Sequence, residues 1–402
     1  MIIRNEYMDK IERLIDKDPI KIIIGVRRSG KTYLLKNIYH YLLKRDIPES
    51  NIFFISFESM KYNYIENSKQ LDEKIIELTQ NIEGKVYFLF DEIQNVENWE
   101  KSINAYRVDF NCDIYITGSN SELLSGELAT LIAGRYFQID LYPFSFKEFV
   151  QYKQQIDNCD ISNLEDLFNE YLKFGGMPSI LQISDEDKFS YLGDIYDTIL
   201  LKDIISRHQI RNTDMLNRII DYTIMNISKD FSATSISDYM KHEGRKISKD
   251  TILDYLLYSQ DACFIHKVPK EHIKGKKVLL SNEKYFIVDH GFYQLKFANI
   301  ENIGSILENI VYIELLRRGY DIKIGILNKK EIDFVCRKNK EKIYVQVSYK
   351  LSADKTIDRE FSGLAKIDDN YDKYVLTMDT QDFSNNGLKH RNIIDFLTSD
   401  YI

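Results

Sequence analysis

The sequence predicts an α/β fold over its first third, a parallel sheet covered by helices on both faces, followed by segments of different character. Three observations carry this. Short apolar runs, IKIIIGV (20–26), NIFFISFE (51–58), KVYFLFDE (85–92) and CDIYITGSN (112–120), are separated by polar, helix-compatible stretches. Continuously apolar strands that alternate with helices belong to a parallel sheet buried on both faces. The first run also ends in a glycine-bounded loop, GVRRSGKT, that turns directly into a helical pattern. From about 145 to 225 the period becomes that of helices, in FSFKEFVQYK, LEDLFNEYLKF, YLGDIYDTILLKDIISRH and MLNRIIDYTIMNIS.

The remaining elements follow in order. KFGGMPSI (173–180) has two glycines and a proline, so a turn belongs there. SATSISDYMKHEGRKISKDTILDYLLYSQDACFIHKV then reads as two short helices with a polar turn, a third helix and a strand. With the strand-like KKVLLSNEKYFIVD, this order resembles a winged helix-turn-helix. The end of the chain opens with the helix ILENIVYIELLRRG and continues with strand-like DIKIGIL, EIDFVCRK, KIYVQVSYK and KYVLTM. The sequence has no internal repeat and no low-complexity linker.

Composition narrows the functional class. At 402 residues the chain is too long for one ordinary core. Its net charge of −8 argues against constitutive coating of nucleic acid, which needs many Lys and Arg contacts to phosphate, although a local basic face remains compatible. Cys112, Cys159, Cys263 and Cys336 are far apart and form no C-x-x-C pair, so neither a disulfide framework nor a zinc site is expected. No apolar run approaches the ~20 residues that span a bilayer. MIIRNEYMDK also lacks a signal-peptide core, so a cytoplasmic protein without membrane association is expected.

Gly25, Gly30, Lys31 and Thr32 fit G-x-x-x-x-G-K-[ST], directly after a strand and before a helix. Glycines let the backbone curl its N–H groups onto phosphates, and the following helix adds its positive end. Lys31 would reach the β- and γ-phosphates of ATP, and the Thr32 hydroxyl would ligate Mg²⁺. Ser29 and Arg28 lie inside the loop and are counted with its nucleotide-binding residues. For Arg27 and Arg28, steering of anions, contact with a neighbouring segment and a solvated charge all remain open.

VYFLFDE ends an apolar strand in Asp91 and Glu92. At that position Asp91 is expected to hold Mg²⁺ through water, and Glu92 to orient and deprotonate the attacking water. A bare strand cap followed by a loop is the plainer reading of the same pair. IYITGSNSELL offers a polar strand tip: Asn120 could sense the γ-phosphate or lytic water, with Ser119 as competitor, or either could cap the next helix.

GVRRSGKT, FLFDEIQNVENWE, YITGSNSELLS and LIAGRYFQIDLYPFSFKEF together resemble the AAA-superfamily ATPases of bacteria and archaea. More closely, they resemble the branch that joins a P-loop ATPase core to a winged helix and a C-terminal restriction-endonuclease-like domain. The resemblance is specific to about residue 150 and then rests on YLKFGGMP, LLSNEKYFIVDHG, ILENIVYIELLRRGY and EIDFV. It implies an AAA-type core (1–150), a helical lid (151–225), a winged helix-turn-helix (226–298) and a restriction-endonuclease-like domain (299–402). It also implies that Arg135, in AGRYF, is the arginine finger; a surface arginine before a strand is the alternative. A finger supplied in trans would require a homo-oligomer.

Between Lys241 and Lys277 nine Lys and Arg face five acids, an excess of four positive charges suited to duplex DNA. Winged helices also serve as packing or protein-contact modules. In the last domain, EIDFV and IYVQVSYK resemble a nuclease metal site, with Asp333 as first acid and Glu308 or Glu314 as the helical glutamate. Gln346 and Ser348 stand where an acid and a lysine belong, and Lys350 is off the spacing. An amide carries no charge for Mg²⁺, so this domain is expected to be catalytically degenerate. The overall expectation is an ATP- and Mg²⁺-dependent ATPase that moves its C-terminal parts. Its rivals are a slow nucleotide switch with a protein partner and, disfavoured, a DNA-acting ATPase with nuclease activity.

Overall fold

The computed structural model describes residues 2–119, 134–156, 163–273, 283–297, 302–328, 330–351 and 354–402. Two compact units arise, Met1–Leu141 with Asp261–Cys263, and Tyr142–Gln260 with Phe264–Ile402.

In the first unit, α1 (Asn5–Glu12) precedes β1 (Ile20–Ile24), and α2 (Lys31–Lys44) leads to β2 (Ile52–Ser56). Then come α3 (Ser68–Thr79), β3 (Val86–Asp91), α4 (Trp99–Asp109), β4 (Cys112–Gly118) and β5 (Tyr136–Asp140). The sheet order is β2-β3-β4-β1-β5, and every neighbouring pair is parallel.

Alternate strand residues enter two separate cores. Ile22, Ile24, Phe88, Phe90, Ile114 and Ile116 pack with Trp99 and Ile103 of α4. Ile23, Tyr87, Leu89 and Tyr115 pack with Leu34, Leu35 and Ile38 of α2 and with Ile11 of α1. Covering both faces is the reason these strands read as unbroken apolar runs. Because the strands are parallel, the carboxyl ends of β1 to β4 form one rim, where an open α/β sheet binds its ligands.

The second unit begins with helices, as its sequence period requires. These are α5 (Phe146–Ile156), α6 (Leu164–Phe174), α7 (Lys188–Thr198), which widens into a π-helix over Ile199–Ser206, and α8 (Thr213–Met225). Polar caps start α5, α6 and α8. Ser145 Oγ accepts from the Glu148 amide at 3.1 Å while Glu148 Oε2 accepts from the Ser145 amide at 2.9 Å, a reciprocal capping box. The side chains of Asn163 and Asn212 cap α6 and α8. In the FGGMP turn, the Gly176 amide donates to Asp289 Oδ2 at 2.7 Å. Asp289 also accepts from the Gly291 amide at 2.8 Å, so one buried carboxylate joins the two glycine motifs.

The chain runs on through β6 (Asp230–Phe231), α9 (Ala233–His242), α10 (Lys249–Asp261), β7 (Ile265–Val268), β8 (Lys270–His272) and β9 (Glu283–Ile287). Strands β6, β9 and β7 form an antiparallel three-stranded sheet. The last part contains α11 (Gly291–Phe297), α12 (Ile303–Arg317), β10 (Asp321–Leu327), β11 (Lys330–Lys338), β12 (Glu341–Val347), α13 (Asp354–Ala365), β13 (Asp372–Thr377), β14 (Leu388–Asn392) and α14 (Ile393–Thr398). Its mixed sheet runs β14-β13-β12-β11-β10-β8. The β10-β11-β12 pairings are antiparallel, and the flanking ones are parallel.

Candidate active site

The loop between β1 and α2 is held tightly. A Cβ on Gly25 would lie 2.2 Å from the Leu141 carbonyl oxygen, so only glycine allows this close approach. Gly30 has φ +102, a left-handed conformation that glycine adopts without strain, and it opens α2. Arg28 also adopts positive φ (68°). From outside the loop, the buried Arg4 guanidinium donates to the Ser29 carbonyl at 3.2 Å.

Lys31 is buried and turns back on its own loop. Its ammonium donates to the carbonyls of Gly25 (2.9 Å) and Val26 (3.3 Å) and stands 3.6 Å from Glu92 Oε1. Thr32 Oγ1 donates to both Asp91 oxygens, at 3.1 and 3.0 Å. Two further hydroxyls converge on the same carboxylate: Ser56 from the end of β2 at 3.2 Å and Thr117 from β4 at 2.8 Å. Burial raises the Asp91 pKa and the Glu92 charge adds to this, while the Thr117, Thr32 and Ser56 hydroxyls pull it down.

Glu92 follows Asp91 in a left-handed conformation, φ 55° and ψ 50°. Its amide donates to Thr117 Oγ1 at 3.0 Å, and its carboxylate accepts from the Gln94 side-chain amide. Thr117 therefore orients both members of the acidic pair. Sequence reasoning passed over Ser56, Gln94 and Arg4, and placed Thr117 in the polar strand tip without giving it a role. The available signal was a polar residue at or next to the end of each of three apolar strands, Ser56, Asp91 and Thr117.

These donors fit a Mg²⁺-bound polyphosphate. Thr32 and Asp91 present hard oxygens at one point, as Mg²⁺ requires. Ser29 Oγ is fully buried and has no hydrogen-bond partner within the described residues. The structure thus brings Gly25, Ser29, Gly30, Lys31, Thr32, Asp91 and Glu92 to one rim.

Two expected residues stand apart. Asn120 lies outside the described residues; its competitor Ser119 is buried beside the end of β4. The Ile20 amide donates to the Arg135 carbonyl at 2.9 Å, which puts Arg135 at the amino edge of β1. The phosphate loop follows the carboxyl edge, five residues along the strand, roughly 16 Å away. The Arg135 side chain is exposed and donates to Asn104 Oδ1 at 3.0 Å, so the fold does not bring it to the loop of its own chain.

Four of the nine basic residues of the stretch pair with acids that lie outside it. Lys241 pairs with Asp238, Arg245 with Asp214, Lys267 with Glu283, and Lys270 with Asp230 and Glu331. Lys274, Lys276 and Lys277 lie outside the described residues. In the six-stranded sheet, Asp333 Oδ2 accepts from the Val347 amide at 2.8 Å. The helical glutamate beside Asp333 is Glu308, because Glu314 is held at 2.8 Å by both Arg317 and Arg318. Among the described residues no helix is long and apolar enough to cross a membrane.

Comparison with known proteins adds the following. Residues 17–150 match the family described as "AAA domain", and residues 165–304 match a "domain of unknown function". An uncharacterized protein of Haemophilus influenzae is 41% identical over 380 residues, covering 94% of this chain and 93% of that one. An uncharacterized protein of Methanocaldococcus jannaschii is 33% identical over 387 residues, covering 91% and 84%. Among solved structures, the Aeropyrum pernix ORC1 protein in complex with DNA aligns over 76% of this chain and 92% of that one. Its identity of 10% and TM-score of 0.33 are too low to carry weight.

Proposed function

We propose a function from one premise: the chain belongs to the same protein family as its Haemophilus influenzae relative, and residues 17–150 are an AAA-type P-loop ATPase domain. On this reading it binds ATP with Mg²⁺ and hydrolyses the terminal phosphate. The observation that carries the proposal is the meeting of Thr32 with Asp91 at 3.0 Å, with Lys31 and Glu92 beside them.

Loop amides and Lys31 would hold the β- and γ-phosphates, and Thr32 and Asp91 would hold Mg²⁺, Asp91 through water. Bound there, the cation draws charge from the phosphate oxygens. Glu92 would orient the attacking water and take its proton, and Thr117 would keep the glutamate's backbone in place. An arginine finger from Arg135 would have to come from a second copy of the chain, consistent with its exposed position.

We read β6, β7 and β9 with α9 and α10 as a winged helix, and the six-stranded sheet with α12 as a restriction-endonuclease-like domain without nuclease activity. Gln346 and Ser348 support that loss. Nucleotide turnover would then shift these parts. The internal ion pairs of Lys241, Arg245, Lys267 and Lys270 favour packing or a protein partner over duplex DNA.

A second reading, a slow switch, draws on a specific observation. Glu92 is engaged by Gln94 and faces Lys31, so it must leave both before it can meet water. The deciding experiment is steady-state ATP turnover of wild type and Glu92→Gln, stripped of nucleotide, with and without duplex DNA. Turnover that the substitution removes supports the ATPase. Tight binding with negligible turnover in both proteins supports the switch.

A further inference from the structure

Away from the nucleotide site, Lys284 of β9 is buried, with its side chain 5% exposed, among carboxylates from two other elements. Its ammonium lies 2.5 Å from Glu331 Oε1 of β11 and 3.7 Å from Glu308 Oε2 of α12. Asp333, two residues along β11 from Glu331, completes the group and interacts electrostatically with Lys284. A second lysine mirrors the first. Lys270 of β8 reaches the other oxygen of Glu331 at 2.9 Å and pairs with Asp230 of β6. Each lysine reaches from one sheet to the other, and Glu331 bridges them.

Three carboxylates on α12 and β11 repel one another unless a cation lies between them. Proteins meet that need with a metal ion or with a basic side chain. Among the described residues no set of His, Cys, Asp or Glu has the geometry of a metal site. The Lys284 ammonium lies against two of these carboxylates, Glu331 and Glu308, and interacts electrostatically with the third, Asp333. Glu308 Oε2 is buried without a hydrogen-bond donor although Lys284 stands near it, so the cluster retains unused acceptor capacity.

We infer that Lys284 is a built-in counter-cation that closes this acid cluster to divalent metal and fastens the three-stranded sheet to the six-stranded one. Removal of its ammonium opens a Mg²⁺- or Mn²⁺-binding site on Glu308, Glu331 and Asp333. The inference is independent of ATP hydrolysis, because none of these residues belongs to the phosphate-loop site.

The test uses the full chain, free of nucleotide, titrated with Mn²⁺ by calorimetry and by thermal unfolding. Wild type, Lys284→Met, Asp333→Asn and Lys284→Met/Asp333→Asn are compared, so Mn²⁺ held at Asp91 is common to all four. One additional Mn²⁺ per chain in Lys284→Met, with Tm rising by about 2–4 °C, is expected. Asp333→Asn in the same background should remove both effects. Equal Mn²⁺ binding by wild type and Lys284→Met overturns the inference, as does wild-type binding that Asp333→Asn abolishes. Should Lys284→Met fold poorly, Lys284→Gln and refolding in millimolar Mn²⁺ replace it. Recovery by Mn²⁺ supports the inference, and failure of both variants to fold with the cation present overturns it.

Discussion

The Lys31 ammonium stands 3.6 Å from Glu92 Oε1 and donates at 2.9 Å to the carbonyl of Gly25, the residue that opens its own loop. One cation therefore engages the cradle and the proposed base together. A polyphosphate entering the loop would compete for that ammonium, and release of Glu92 would accompany binding.

The two residues should separate in their effects. Lys31→Ala removes a charged hydrogen-bond donor worth about 1.5–3 kcal/mol, so ATP affinity should fall at least about 10-fold. Glu92→Gln should retain affinity and lose about 10²- to 10⁴-fold in turnover. Equilibrium binding of a fluorescent ATP analogue, alongside turnover, checks both. Equal loss of binding in the two variants would refute the division of roles.

Thr117 offers a sharper test of the acidic pair, because it donates to Asp91 and accepts from the Glu92 amide. Thr117→Val leaves that buried amide unsatisfied, at a cost of about 1–3 kcal/mol, and removes a donor that lowers the Asp91 pKa. Turnover should fall about 10-fold or more and Mg²⁺ should be needed at higher concentration, whereas Thr117→Ser should recover most of both. Mg²⁺ titrations of turnover for the three proteins decide it. Ser56→Ala, which removes only the longer 3.2 Å bond, should do less.

The two loop glycines should respond differently to a methyl group. In Gly25→Ala the Cβ meets the Leu141 backbone at 2.2 Å, so the loop must part from the end of β5. Loss of ATP binding is expected, with destabilisation of about 2 kcal/mol or more. Gly30→Ala meets nothing within 4 Å, but its φ of +102 costs about 1–2 kcal/mol. Thermal unfolding and ATP binding of both variants measure the difference; a tolerated Gly25→Ala would refute the close-packing argument.

What the sequence disclosed and withheld follows from range. Gly25, Lys31, Thr32 and Asp91 were legible because loop, helix start and strand end are local patterns of residue type. Strands β1, β3 and β4 were legible because burial on both faces leaves an unbroken apolar signature. Ser56 and Thr117 gained their meaning only from the strand order β2-β3-β4, which places the ends of three strands side by side. Arg135 shows the reverse. Its string matches the family, but the parallel register of β1 with β5 carries it to the opposite edge from the loop. Lys284 reads as one lysine in a strand, and nothing near it in the chain announces Glu308, Glu331 or Asp333.

That cluster also sets a pH dependence. Burial pushes Asp333 up to about 7, with Lys284 and the Val347 amide pulling it down and Glu331 and Glu360 pushing it up. Glu308 is raised too, by burial and by Asp333, while Lys284 lowers it. The charged groups facing Asp333 are thus Lys284 on β9, Glu308 on α12, Glu331 on β11 and Glu360 on α13, with Lys270 beyond Glu331. A carboxyl raised in the folded state holds a proton that the unfolded chain has released. Its stabilising effect is full below the ordinary aspartate pKa and is lost as pH rises through about 7. In that window stability should fall with pH by at most about 1.4 kcal/mol per pH unit for this group. Asp333→Asn cannot release the proton, so its urea midpoint should decline less than that of wild type between about pH 5 and pH 8. Identical slopes for the two proteins would mean that Asp333 is ionised across the whole range, with the lysines outweighing its burial.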